Sequence, residues 1–385
     1  MKYITLFVMI FCFISSVFAQ ELKTRENHEI EWGEPVYYKQ LIERLTFPLA
    51  WENAGISDFD QWKTTARGKL FECMLAIPPQ SSFDMKVISN EKRDGYTVQK
   101  ILFSISGYSR VPAYLLIPDG EGPFPALVML HDHGAEFYVG KEKMVRPFDV
   151  DPAVLQRAEE WAEQCYDGRF IGDEYAKNGY VVLSVDALFW GERGRKEGVN
   201  YYDGQQALSA NLLQLGMTWT GVITADDMRS VDLLESLPFV DGKRIGCVGF
   251  SMGAHRAWML SAASEKVAAT VAVCWMNTTE HLMTPKNNQL KGGSAYSMML
   301  PDIRNWMDYA HVASLACPRP MLFFNGRQDK LFPVAGVEDA YEILHNTWKS
   351  QDAGNNLETR LWDLPHTFNA EMQQEALLFL DKHLK

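Results

Sequence analysis

The segment Gly249-Phe250-Ser251-Met252-Gly253 carries the clearest chemical signal in the chain. It lies between an apolar run, Arg244-Ile245-Gly246-Cys247-Val248, and a helix-forming run that starts at Ala254 and passes through Trp258 and Leu260. That order reads as strand, sharp turn, helix. A serine on such a turn is forced into a strained backbone conformation that only small neighbours allow, which explains a glycine two residues to either side. Its Oγ would stand exposed beyond the carboxyl end of a sheet. The five-residue pattern alone recurs at ordinary turns; the strand before it and the helix after it make Ser251 a candidate nucleophile.

A serine hydroxyl is a weak nucleophile near neutral pH and needs a histidine base, itself oriented by a carboxylate. Both should lie downstream when the order is Ser, acid, His. The apolar run from Met321 to Phe324 closes in Asn325-Gly326-Arg327-Gln328-Asp329, placing Asp329 just past a strand end. Residues 357–364 alternate like another strand and run into Pro365-His366. Of nine histidines, His366 alone follows a terminal strand, with a last helix behind it; the competing reading is a plain surface-loop histidine. Asp363, Asp302 and Asp308 are weaker acid candidates: the first points along a strand, the others sit in an insertion. Because imidazole acts as a base only when neutral, activity is expected to fall on the acid side.

Acyl transfer also needs two N–H groups aimed at the tetrahedral oxyanion. Met252 N–H, next to the nucleophile, is one candidate. The second is His133 N–H, in the His131-Asp132-His133-Gly134 loop after the apolar run 124–130. An H-x-H pair also fits a metal site, since alternate residues of an extended chain face one way. A closed zinc site wants three or four ligands, and no partner cluster with that spacing stands out, so neither metal nor cofactor is expected.

Residues 240–257, from Val240-Asp241-Gly242 through the Ser251 turn to Ala257, resemble the α/β-hydrolase superfamily. They are most similar to its acetyl xylan esterase-like and dienelactone hydrolase-like branch, found in exported bacterial polysaccharide-degrading systems. His131-Asp132-His133-Gly134 resembles that branch's H-G-H-G oxyanion loop, residues 185–194 its fourth-strand segment and Asn325-Gly326-Arg327-Gln328-Asp329 its acid loop. Two departures stand out. Asp132 replaces a glycine, and the nucleophile is serine where dienelactone hydrolases have cysteine, which argues for ordinary carboxylic esters. The resemblance implies an α/β-hydrolase fold: a mostly parallel sheet covered by helices on both faces.

Composition agrees with an enzyme core. The 385 residues are 47% hydrophobic, enough for a substantial interior. A formal net charge of -12 argues against nucleic acid and mildly favours an uncharged substrate. Met1-Lys2, an apolar stretch and Val17-Phe18-Ala19 read as a signal peptide over residues 1–19, cut before Gln20. The stretch is too short to span a membrane, so a periplasmic or secreted protein without an anchor is expected. Cys73, Cys165, Cys247, Cys274 and Cys317 remain, an odd and widely spaced set that makes no disulfide framework.

Residues 20–95 are expected to form an N-terminal helical cap on the core, with helices over 37–45 and 57–75, the second capped by Ser57. Residues 96–385 then form the catalytic domain. It opens with a hairpin over 99–106 and 111–117, and strands alternate with helices thereafter. Long insertions at 136–178 and 277–310 are anchored at strand carboxyl ends, where ligands bind, and are expected to wall the cleft. Trp190, Trp275 and Trp306 are candidate sugar-stacking residues, against the plainer reading of core aromatics. Asp186, Glu192 and Arg193 could orient the surrounding loops as an ion pair or lie in a solvated turn.

The expected reaction is hydrolysis of a small-molecule or oligosaccharide ester, most of all acetyl groups on plant polysaccharide, through an acyl-enzyme on Ser251. Feruloyl or methyl-glucuronoyl esters are alternatives within the fold. A peptidase of the prolyl-oligopeptidase type is disfavoured because no propeller-sized N-terminal region is present. A carbohydrate-binding protein on a hydrolase scaffold is disfavoured by the intact Ser251, Asp329 and His366 set. Oligomeric state stays open.

Overall fold

The computed structural model describes residues 30–31, 34–194, 201–284 and 298–385. The expected signal peptide lies outside them. The chain divides into two units, Met1–Leu45 and Thr46–Lys385. In the first, β1 (Ile30–Glu31) pairs antiparallel with β2 (Glu34–Pro35), followed by helix α1 (Tyr38–Ile42).

The second unit opens with helix α2 (Phe59–Met74), whose N-cap is Asp58 and not Ser57: the Asp58 carboxylate accepts from Gln61 N–H at 2.7 Å. Its buried stripe, Trp62, Ala66, Leu70, Cys73 and Met74, joins the core. Antiparallel strands β3 (Lys86–Arg93), β4 (Tyr96–Ser104) and β5 (Arg110–Pro118) follow. β3 falls within residues 20–95, expected as a helical cap, and no strand is expected there. It is an edge strand with nearly every side chain exposed, so it lacks the alternating apolar signal by which a half-buried strand is recognised.

The runs that read as buried strands are buried, as a sheet covered on both faces requires. They are β6 (Phe124–Leu130), β7 (Val181–Val185), β8 (Val240–Phe250), β9 (Ala269–Val273) and β10 (Met321–Gly326), with the more exposed β11 (Leu357–Trp362) at the far edge. Helices fill the connections: α3 (Pro152–Tyr166), α4 (Ile171–Lys177), α5 (Tyr201–Gln214), α6 (Trp219–Glu235), α7 (Met252–Ala263), α8 (Thr279–Leu282), α9 (Tyr309–Ala313), α10 (Val334–Ser350) and α11 (Ala370–Leu384). The 136–178 insertion is therefore largely helical.

Strand order is β11-β10-β9-β8-β6-β7-β5-β4-β3, parallel from β11 to β7 and antiparallel beyond. On one face Val248, Phe250, Val271 and Val273 pack with Met372, Ala376 and Leu380 of α11. On the other, Ile245 and Cys247 meet Ala257 and Leu260 of α7 and Val231 and Leu234 of α6. The winding order of the strands reverses at β6, which lies between β7 and β8 and runs parallel to both, and this switch point is where a crevice opens at strand carboxyl ends. Pairing of Leu130 with Gly249 sets the loop after β6 beside the turn after β8. Pairing of Gly326 with Trp362 likewise brings together the loops after β10 and β11.

The five cysteines of the described residues are all buried and free. None of the described helices is long and apolar enough to cross a membrane. Helices α6 and α7 are tied by a buried two-pronged ion pair, in which Arg256 Nε and Nη2 donate to Asp227 at 3.0 and 2.7 Å. Removing one partner strands a buried charge, so Arg256→Met is expected to lower unfolding free energy by about 3–5 kcal/mol in urea titrations. The Arg256→Met/Asp227→Asn double variant should recover much of the loss, and an unperturbed single variant would contradict this account.

Candidate active site

β8 ends at Phe250 and α7 begins at Met252, so the whole reversal falls on Ser251, whose backbone sits at φ 56° and ψ -122°. Its N–H donates to Val273 O at 2.8 Å, and its carbonyl accepts from Ala254 and His255. The flanking glycines are obligatory: a Cβ on Gly249 would stand 1.9 Å from Gly253 O, and one on Gly253 would stand 1.8 Å from Leu130 O.

Three loops converge on the hydroxyl. Ser251 Oγ–H donates to His366 Nε2 at 2.9 Å, and His366 Nδ1–H donates to Asp329 Oδ2 at 2.6 Å. The other Asp329 oxygen accepts from Leu331 N–H at 2.9 Å, which fixes the carboxylate. The imidazole lies between Phe250, at 4.8 Å, and Phe332, stacked at 6.2 Å. Asp329 is buried and His366 half-buried. The competing acids are occupied elsewhere: Asp308 caps α9 and binds Thr279, Asp302 holds Asn305 and Trp306, and Asp363 binds Gln328. Met252 N–H occupies the first helical position, where no acceptor lies earlier in the helix.

The His131–Gly134 loop lies against this centre and is buried through His133. Ala187 N–H donates to His131 Nε2 at 2.9 Å, so the proton is on Nδ1, which donates to Asp132 O at 2.9 Å. Ala135 N–H donates to His133 Nδ1, leaving Nε2–H to donate to Gln205 Oε1 at 3.1 Å. The H-x-H pair is thus engaged in backbone and amide bonds, not set out as a ligand pair. Burial pulls His133 down to about 4 and His255, on α7, down to about 3.

The burial of Trp190 and Trp275 fits the plainer reading of core aromatics. Trp190 is fully buried, its ring set among His133, Phe137 and Trp219, and its Nε1 donates to His133 O at 3.2 Å. Trp275 is only 7% exposed and hemmed in by His255, Trp258, Tyr309 and Phe332. Trp306 is half-buried, with the Lys69 ammonium 4.2 Å above its ring. Arg193 forms no ion pair with Asp186 or Glu192: both carboxylates bind the buried Lys141 ammonium and Arg193 pairs with Asp226, while Glu192 N–H donates to Asp186 Oδ2 at 3.1 Å and Arg193 Nη1 donates to Asp186 O at 3.0 Å.

Sequence reasoning missed the residues that hold the loop. Asp132, the departure from the H-G-H-G pattern, accepts from Tyr166 OH at 2.6 Å and Trp161 Nε1 at 3.1 Å, and pairs with Lys143. Trp161 and Tyr166, both in the 136–178 insertion, serve this carboxylate. The one visible signal was a charge where the pattern has glycine.

The Abhydrolase family matches residues 39–356. The chain belongs to this family. It is 26% identical over 319 residues, 83% of this chain and 98% of the other, to the "putative hydrolase YtaP" of Bacillus subtilis (strain 168). Among solved structures it is similar to a "putative acetyl xylan esterase" of Bacteroides fragilis, at 19% identity and TM-score 0.69, covering 88% of this chain and 83% of that one. A glucuronoyl esterase of Teredinibacter turnerae matches at 14% identity and TM-score 0.62, covering 89% of each chain. At such identities the structural likeness is one of fold, and it establishes the α/β-hydrolase architecture.

The imidazoles of His133 and His255, like that of the buried His131, have their pKa below the unfolded value, so the unfolded chain takes up their protons first as pH falls. The stabilising contribution is complete above about 6.5 and lost progressively toward about 4 for His133 and about 3 for His255. Urea titrations should therefore show unfolding free energy declining over that window. The decline should be shallower in His255→Phe by about 1.4 kcal/mol per pH unit; identical slopes would contradict the neutral buried His255.

Proposed function

We propose that this protein is an exported serine esterase that removes acetyl groups from plant polysaccharides or their oligosaccharides. The observation carrying the proposal is the hydrogen-bonded line from Ser251 Oγ through His366 to Asp329, built on a strained strand-to-helix turn. Membership of a hydrolase family supports the reaction class, and the esterase names of the similar structures support carbohydrate esters. The apolar stretch after Met1-Lys2 supports export.

In this mechanism Ser251 Oγ attacks the ester carbonyl carbon while its proton passes to His366 Nε2. Asp329 keeps the imidazole in the Nδ1–H tautomer and stabilises the imidazolium without taking the proton. Met252 N–H and His133 N–H receive the oxyanion. The alcohol departs with the proton from His366, leaving acetyl-Ser251. Water then attacks the acetyl carbon, gives its proton to His366, and acetate leaves as the proton returns to Ser251.

Ser251→Ala should lower kcat/KM on p-nitrophenyl acetate by at least about 10³-fold with unchanged folding. The wild type should release acetate from acetylated xylan. Full activity in Ser251→Ala would remove the mechanism. Release of ferulate from feruloylated arabinoxylan, or of methanol from methyl glucuronate, without acetate from xylan would keep the mechanism and replace the substrate.

A further inference from the structure

Lys143 lies in a buried 3-10 turn, Lys141–Lys143, and its ammonium has no solvent contact. All three ammonium donors are directed at one short segment: Asp132 O at 3.1 Å, Asp132 Oδ1 at 3.3 Å and His133 O at 3.1 Å. These two carbonyls begin the peptide units whose other ends are His133 N–H and Gly134 N–H. The same carbonyls take one further donor each, His131 Nδ1–H on Asp132 O and Trp190 Nε1–H on His133 O.

A planar peptide carries its C=O and N–H in opposite directions, so gripping the carbonyl fixes where the N–H points. A cation on the carbonyl also polarises the unit and strengthens the N–H as a donor. The Asp132 carboxylate offsets the buried charge, and Tyr166 and Trp161 hold that carboxylate in turn. A buried ion pair is weak evidence of stability, since apolar isosteres often serve as well, which directs attention to what this pair positions.

We propose that Lys143, with Asp132 as its counter-ion, is a positioning residue behind the oxyanion site, orienting and polarising the His133 N–H. This rests on the esterase reading above and on His133 as the second donor. Asp132 thereby does by side-chain anchoring what a glycine cannot: it ties the loop to the 136–178 insertion.

The test compares wild type, Lys143→Met, Asp132→Asn, their double variant and Tyr166→Phe. Three quantities are measured: kinetics on p-nitrophenyl acetate, inhibition by a trifluoromethyl ketone that adds to a serine as an oxyanion-bearing hemiketal, and urea unfolding. The neutral double variant should unfold near the wild-type midpoint and keep KM within about twofold. Its kcat and ketone affinity should each fall about tenfold or more, below the loss of a whole oxyanion donor. Tyr166→Phe, lacking one hydroxyl, should lose about two- to fivefold in both. It carries the test if the double variant does not fold. Wild-type kcat and ketone affinity in the folded double variant, or in Tyr166→Phe if the double is unfolded, would overturn the role of Lys143 while leaving the esterase reading intact. Failure of the ketone to inhibit wild type, with activity retained in Ser251→Ala, would overturn both.

Discussion

Ser251 occupies a backbone conformation that L-residues seldom adopt, and a residue held this way costs about 1–3 kcal/mol. The surrounding structure over-determines it. The N–H is tied to β9, the carbonyl begins α7, and the glycines on either side admit carbonyls where any Cβ would collide. The reward is geometric: the hydroxyl leaves the sheet at its carboxyl edge, and every other contributor arrives there from another parallel strand of the same sheet. The His131–Gly134 loop follows β6, Asp329 follows β10 and His366 follows β11. A parallel sheet delivers these loops to one edge because all its strands end there.

Buried charge is concentrated at that same edge. Lys141 is enclosed by Glu142, Asp186 and Glu192; Lys143 by Asp132 and two carbonyls; Arg193 and Arg256 by Asp226 and Asp227. Apart from Lys141 and Glu142, which are neighbours in one turn, each pair crosses between loops or helices that have no sheet hydrogen bonds to align them. Such pairs contribute little net stability over apolar packing, but they admit few alternative arrangements. In a site whose chemistry depends on hydrogen-bond geometry, that restriction is what counts.

Much of the site was legible because its parts ride on long, strongly patterned elements. The apolar runs before Ser251, Asp329 and His131 are buried on both faces, and their ends are marked by glycine, so strand and loop could be told apart from residue type alone. His366 was legible from its place after the last strand. What stayed hidden depends on three-dimensional partners. β3 is an exposed edge strand whose composition matches a polar loop, and it is a strand only because β4 lies beside it. Trp190 resembles a sugar platform in sequence, yet its ring is needed as packing under His133. Lys143 gives no sequence signal at all, because a lysine is ordinarily solvated and nothing nearby in the chain marks this one as buried.

The central claim is covalent chemistry at Ser251, and its most direct test is to trap the intermediate. Wild-type protein mixed with p-nitrophenyl acetate, quenched in acid within the first turnover and digested, should yield a peptide containing Ser251 that carries one acetyl group, and this adduct should be absent from Ser251→Ala. An adduct on another residue, or turnover with no adduct at any quench time, would contradict the account.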